Sequence, residues 1–464
     1  MRGRGHSTPE PLTSVEICAG AGGQAVGLHN AGFEHLDLIE YEPAAVDTLS
    51  ANVSKWPGWT HGRAGKLKPQ NVRDLVASSA AREESLLKRF GVRSGELSLF
   101  AGGVPCPPFS LAGKRLGADD DRDLFPAALE MIDELRPKAV MIENVRGILD
   151  PPHVFMDYRR QIVNRLFELG YHVPKTDSAW SVSKQNELMN QVWRRLDAYL
   201  FGVPQLRPRA ILVAIRQDIV DANGEFVWPR RTTGKGLNVL EALEATMRKR
   251  CKPYWKLNEK GLPAKPGQRT GKDVFDLWRK RAQRAVLRSE VRRPDELLMG
   301  LAPTLVGGSR KHGGADLGPT RAKRAWLEYG VNAMGVANDH GPGTDPERDL
   351  FRDEGPMLTV EQAAIIQGFP PEWVFQGGKT ARYRQVGNAF PPPVAEAVGR
   401  AIAAVLRPGL RADLETRYEL DSGRGAISLV PEQLSLEEVS ETAAGPQLAA
   451  PGDDSRGDLV SARR

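Results

Sequence analysis

Along the first half of this chain, apolar residues come in short runs separated by stretches of helical spacing. SVEICAGAGG reads as a strand entering a glycine-rich turn, and QAVGLHNAGF behind it carries a helical pattern. HLDLIEYEPAAVDTLSAN repeats the unit, with a strand ending at Glu40 and a helix whose Pro43 suits a first-turn position. ELSLFAGGVPCPPFS supplies a third strand and a loop, Leu124 to Leu135 a helix, KAVMIENV a fourth strand, Phe155 to Leu169 a long helix, and RAILVAIR another buried strand. This alternation predicts an α/β fold: a mostly parallel sheet covered on both faces, with ligands expected at the carboxyl ends of the strands.

From about Gln217 to Gly355 the pattern changes. Lys and Arg crowd together, periodicity weakens, and turn-forming pairs appear in VGGSRKHGGADLGPT, which predicts a second, smaller and irregular domain. Helical spacing returns in LTVEQAAIIQGF and PPVAEAVGRAIAAVL. Beyond about Arg411 the tail is polar, acidic in patches and poor in aromatics, and is expected to be disordered. The length of 464 residues suits two or three folding units. No run of about 18 apolar residues is present to cross a bilayer, and the leader MRGRGHSTPEPLTS has no apolar stretch of the secretory kind, so residence inside the cell is expected. A formal net charge of +6 favours an acidic partner only weakly. Of the three cysteines, Cys18, Cys106 and Cys251, none sits in zinc-site or disulfide-framework spacing, so no metal is expected and any special cysteine is a chemical one.

The candidate chemistry lies at the ends of the predicted strands. AGAGG at Ala19 to Gly23 lets backbone approach a ligand closely, a property shared by dinucleotide enzymes, methyltransferases and some loops that bind nothing. Glu40 is placed to accept hydrogen bonds from ribose hydroxyls, or is a solvated helix-start acid. Cys106 lies between prolines on a loop expected to be rigid, or is a buried small apolar residue; Glu143 and Asn144 end the strand in VMIENV, where a partly desolvated carboxyl can be protonated near neutral pH, or Glu143 is a helix N-terminal acid. Arg207 and Arg209 alternate along an extended segment, which points both to one side.

Taken in this order, AGAGG, PCPPFS, ENV, QLRPR and QVGNAFPPPVAEAVG resemble the successive motifs of the DNA (cytosine-5)-methyltransferases. The resemblance covers residues 14–216 and 356–405 and implies a Rossmann-like S-adenosylmethionine-dependent methyltransferase fold. The implied organisation is a leader at 1–13, a catalytic cofactor-binding domain at 14–216 completed by 373–410, a target-recognition domain and hinge at 217–372, and a tail at 411–464. The same match makes Cys106 the nucleophile, Glu143 the partner of the cytosine ring, and Arg207 and Arg209 supports of the pocket. It places S-adenosylmethionine among Cys18, Ala19, Gly20, Gly23, Gln24, Glu40, Asn71, Pro105, Asn388 and Ala389, and substrate against Pro107, Ser110, Asn144 and Gln205. Three positions depart from the usual pattern: Cys18 replaces a phenylalanine, Pro107 a glutamine, and Asn71 an aspartate that reads the adenine amine, with Asp74 as the fallback.

The implied reaction divides a hard step. A thiolate added to carbon 6 of cytosine builds electron density on carbon 5, provided N3 is protonated or strongly hydrogen-bonded. Because carbon 6 is stacked inside the duplex, the target nucleotide must rotate out. RKRCKPYWK, RKRAQR and VGGSRKHGG, the last carrying Arg310 and Lys311, are the cationic stretches suited to phosphates and grooves. Double-stranded DNA is the expected partner, with a cognate restriction endonuclease acting on the same site, a monomeric state, no membrane, and a cytoplasmic, nucleoid-associated location in a prokaryote. The rival readings are a transfer-RNA cytosine-5 methyltransferase, a non-catalytic DNA-binding protein with a cofactor fold, and, on the glycine loop alone, an NAD-dependent dehydrogenase.

Overall fold

Alternation of side chains along each strand decides how this molecule is layered. In the computed structural model, which describes residues 10–81, 85–105, 123–292, 300–307, 315–339 and 344–421, seven strands form the main sheet. They are β1 (Leu12–Ile17), β2 (Phe33–Ile39), β3 (Leu99–Gly102), β4 (Ala139–Val145), β5 (Tyr171–His172), β6 (Trp193–Asp197) and β7 (Pro208–Arg216). Val140 and Ile142 of β4 and Leu212 and Ala214 of β7 pack into one core with the Phe125–Leu135 and Met156–Glu168 helices. Their neighbours Ala139, Met141, Ile211 and Val213 pack into another, against the Pro392–Leu406 helix. Both faces are therefore apolar, which is why these strands read as continuous hydrophobic runs.

The sheet order is β2-β1-β3-β4-β7-β5, with β6 also paired to β7. β1 pairs in parallel with β2 and β3, and β3 with β4, whereas β7 is antiparallel to β4, β5 and β6. The expected mostly parallel, Rossmann-like sheet is present, with β7 as its reversed strand. Chain order reverses between β1 and β3, which opens a crevice at their carboxyl ends.

The segment after residue 373 closes this sheet through small residues. A Cβ on Gly27 of the Gly23–Asn30 helix would lie 2.5 Å from the Cβ of Ala395, and one on Gly399 would lie 2.9 Å from that of Ala31. Only side chains this small let the two helix axes approach so closely.

Two expectations are corrected. The central region is more regular than its weak periodicity suggested: the Val239–Cys251 and Gly271–Arg292 helices pack through Leu243, Met247, Phe275, Trp278 and Ala282 into a third core. The expected tail begins as ordered chain, because Leu414 and Tyr418 are buried. Arg411–Arg417 is a helix, and β9 (Tyr418–Leu420) pairs with β8 (Pro229–Thr232). The described residues as far as Leu420 belong to one compact unit. Among the described residues no helix is long and apolar enough to cross a membrane.

Candidate active site

The glycine turn after β1 is shaped by its close neighbours. Gly20 and Gly22 have φ of 55° and 86°, and non-glycine Cys18 has φ of 51°. At Gly22 a Cβ would also lie 2.7 Å from the Trp373 ring, whose indole Nε1 donates to the carbonyl of Ala21 at 2.9 Å. Glu40, just past β2, holds the turn from the other side. Its Oε2 accepts from the Gly20 N–H at 2.7 Å, and its Oε1 from the N–H groups of Tyr41 and Glu42, each at 2.8 Å.

Around this turn lies a cavity of about 1010 Å³. All ten residues expected at the cofactor, from Cys18 to Ala389, line it, and Glu143 lines it with them. Asn71 caps the Val72–Ala80 helix by accepting from the Arg73 N–H at 3.1 Å, so its oxygen is partly committed; Asp74 is exposed and outside the wall. Cys18 shows no sign of nucleophilic activation: burial, with Glu40 and Glu16 adding, pushes its thiol far above the ordinary range.

The sequence reading missed several lining residues, Glu16, Tyr41 and Arg384 among them. Glu16 is buried on β1 with both carboxylate oxygens unpartnered among the described residues, and burial, with Glu40 adding, holds its carboxyl well above the usual range. A lone acid in the apolar run SVEI was the available signal. Tyr41 stands 66% exposed at the rim, and Arg384 reaches the wall from the Lys379–Asn388 helix. Gln24 is also buried, with both amide atoms unpartnered among the described residues. Unused donors and acceptors on a cavity of this volume fit a polar small molecule carrying hydroxyl and cationic groups.

Glu143 sits near the carboxyl end of β4, with its Oε1 2.7 Å from Arg209 Nε and both side chains 11% exposed. The contact is an ion pair by proximity rather than an aligned hydrogen bond, since Arg209 Nε finds no hydrogen-bond partner among the described residues. Burial holds the Glu143 carboxyl above its ordinary range, with Arg209 and then Arg207 pulling it part of the way back. Asn144 faces elsewhere: its Nδ2 donates to the Val104 carbonyl at 2.8 Å and its Oδ1 accepts from the Val145 N–H at 2.8 Å, which braces the chain leading to Pro105.

Gln205, expected at the substrate, and Arg207, expected as a support of the pocket, both spend their side chains on bonds to the protein. Gln205 is fully buried, its Nε2 donating to Gln367 Oε1 at 2.7 Å and to the Ile366 carbonyl, its Oε1 accepting from the Leu305 N–H at 2.8 Å. Arg207 donates to the carbonyls of Leu305 at 2.6 Å, Gly387 at 2.9 Å and Ala389 at 2.8 Å. Burial, reinforced by Arg209, lowers its pKa well below the ordinary value. Neither lines the cavity, nor does Asn144. A buried amide or guanidinium must find partners wherever the fold offers them. The expectations for Cys106, Pro107, Ser110, Arg310 and Lys311 lie outside the described residues.

Comparison with known proteins agrees with this geometry. A family model described as C-5 cytosine-specific DNA methylase matches residues 12–404. The Type II methyltransferase M.NaeI of Lentzea aerocolonigenes is 42% identical over 402 residues, covering 86% of this chain and 76% of that protein. The Type II methyltransferase M.NgoMIV of Neisseria gonorrhoeae is 38% identical over 401 residues, covering 85% and 98% respectively. With a family match over most of its length and relatives of 42% and 38% identity, the chain belongs to the C-5 cytosine-specific DNA methylases and is an S-adenosylmethionine-dependent DNA (cytosine-5) methyltransferase.

Proposed function

We propose that this enzyme methylates one cytosine within a specific double-stranded DNA sequence, with Cys106 as nucleophile and Glu143 as the acid that serves the ring. The observation that carries the reading is the position of Glu143: a buried carboxyl, its pKa raised by that burial, in the wall that also contains every expected cofactor residue. The bound cofactor supplies the electrophilic methyl group. The Cys106 thiolate forms a bond to carbon 6 of the extruded base while Glu143 donates a proton to N3. Carbon 5, made nucleophilic by that addition, is the atom to be methylated; its hydrogen then leaves as a proton, N3 returns its proton to Glu143, and the bond from sulfur to carbon 6 breaks to restore the ring and the thiolate. Arg209 holds Glu143 and faces the O2 side of the base. Asn144, through Val104, steadies the approach to Cys106. On the cofactor side, Glu40, Glu16 and Gln24 offer partners to hydroxyl and ammonium groups, and Tyr41 a flat face to the adenine.

The same reading assigns residues 14–216 with 373–410 to catalysis and 217–372 to DNA recognition. It makes the protein a cytoplasmic, nucleoid-associated monomer in a restriction–modification system, with a cognate endonuclease reading the same site. The test is covalent trapping on duplex DNA carrying 5-fluorocytosine, because fluorine blocks the final elimination. An adduct with the wild type that disappears in Cys106→Ser is the expected result, and an adduct that persists in the variant removes the assignment.

A further inference from the structure

The segment 302–307 lies outside the glycine turn and the sheet, yet it backs one wall of the cofactor cavity. It is bound tightly to the chain before β7: the Leu206 N–H donates to the Ala302 carbonyl at 2.8 Å, the Ala302 N–H to the Pro204 carbonyl at 2.9 Å, and the Thr304 hydroxyl to the Leu206 carbonyl. Gln205 and Arg207 hold Leu305 by its N–H and its carbonyl. Arg207 also holds the carbonyls of Gly387 and Ala389, at the end of the Lys379–Asn388 helix. One buried side chain thus clamps the segment against the helix end.

The contact under that clamp has no room for a side chain on either partner. A Cβ on Gly387 would come within 2.5 Å of the Gly307 nitrogen. A Cβ on Gly307 would fall on the Asn388 Oδ1, 2.8 Å from its Cγ and 3.1 Å from the Arg384 carbonyl. Asn388 and Arg384 both line the cofactor cavity. Gly307 is not among the residues with positive φ, so its backbone conformation does not itself require glycine. What requires glycine is the place taken by the Asn388 amide.

We infer that Gly307 is a positioning residue for cofactor binding: its missing side chain leaves the space in which the Asn388 amide rests. The segment that enters the recognition region then also sets the geometry of the cofactor wall. The inference rests on the assignment of Asn388 to the cofactor. A methyl group at residue 307 displaces the end of a flexible side chain, so its effect falls on cofactor affinity far more than on folding.

The test is calorimetric binding of S-adenosylhomocysteine to DNA-free protein. Gly307→Ala is expected to weaken binding by about tenfold while Tm changes by no more than about 2 °C, and Gly409→Ala, whose Cβ meets nothing within 4 Å, is expected to bind as the wild type. In an Asn388→Ala background, which removes the obstructed amide, the same Gly307→Ala change is expected to cost less than about twofold. Thr304→Ala, which loosens the clamp without adding volume, serves if Gly307→Ala does not fold, and is expected to weaken binding by about threefold. Unchanged affinity in Gly307→Ala, or in Thr304→Ala where that variant serves, overturns the inference, and so does an equal loss in both backgrounds. Unchanged affinity in Asn388→Ala itself overturns the assignment beneath it.

Discussion

In the cofactor cavity, Gln24 and Glu16 are buried with none of their side-chain polar atoms bonded to another described group. At the joint behind it, Gln205 is buried just as deeply, yet both ends of its amide are bonded to the chain, and both terminal nitrogens of Arg207 are bonded to carbonyls. The two regions share the segment of Asn388 and Ala389. A buried polar group left open costs free energy in the empty protein and returns it when a ligand arrives; one closed on the protein contributes to folding and has nothing left to offer a substrate. That contrast separates binding groups from building groups, which sequence motifs alone run together.

Four variants and two pH series test the contrast. The largest effect belongs to Glu143→Gln, which keeps the shape but removes the titrating carboxyl: kcat is expected to fall about 10²- to 10⁴-fold in single-turnover methylation, with cofactor affinity within about threefold of the wild type. On the proposed role of Glu143 as the acid, and with burial raising its pKa, the wild-type rate is expected to decline as pH rises through that raised value, and the variant to lose this limb of the profile. Next come matched substitutions of the two amides. Gln205→Leu opens the joint and is expected to cost about 1–3 kcal/mol in urea unfolding of the cofactor-free protein. Gln24→Leu, at an amide without partners, is expected to leave that stability unchanged or slightly higher, while weakening binding of S-adenosylhomocysteine about tenfold. Equal destabilisation by both substitutions erases the distinction.

The smallest effect concerns His35, a further buried polar group and a closed one. Its ring lies 2.9 Å from the Ser14 hydroxyl and 3.0 Å from the Ala25 carbonyl, beneath the helix that follows the glycine turn. Burial, only partly opposed by the hydrogen bond to Ala25, lowers its pKa to about 3, so the folded protein holds it neutral while the unfolded chain takes up a proton below about 6.5. Stability is therefore complete above the unfolded value and lost as pH falls, by about 1 kcal/mol near pH 6. Urea unfolding at a series of pH values measures this, and His35→Gln is expected to flatten it.

Much of the fold was legible because its strands are buried on both faces and its helices carry regular apolar spacing. The glycine turn, Glu40 and the ENV strand end were legible for the same reason: a strand's carboxyl end is where an α/β sheet presents ligands. The central helices were readable too, since Val274, Phe275, Trp278, Ala282 and Ala285 recur at three- and four-residue steps and are buried. The dense Lys and Arg between those positions concealed the stripe. In the tail, the anchors Leu414 and Tyr418 are only two residues in a polar stretch, too few to show a period.

The order of the chain by itself determined which elements form, and which residue types stand at strand ends, because periodicity and turn chemistry are local properties. Only the tertiary structure decided which polar side chains face the cavity and which close on the protein. QLRPR specifies a glutamine and two arginines in an extended segment, but the partners of Gln205 and Arg207 come from residues 305, 366, 367, 387 and 389. Hydrogen bonding over such separations depends on where the folded chain returns, and a buried polar group takes whatever partner that return provides.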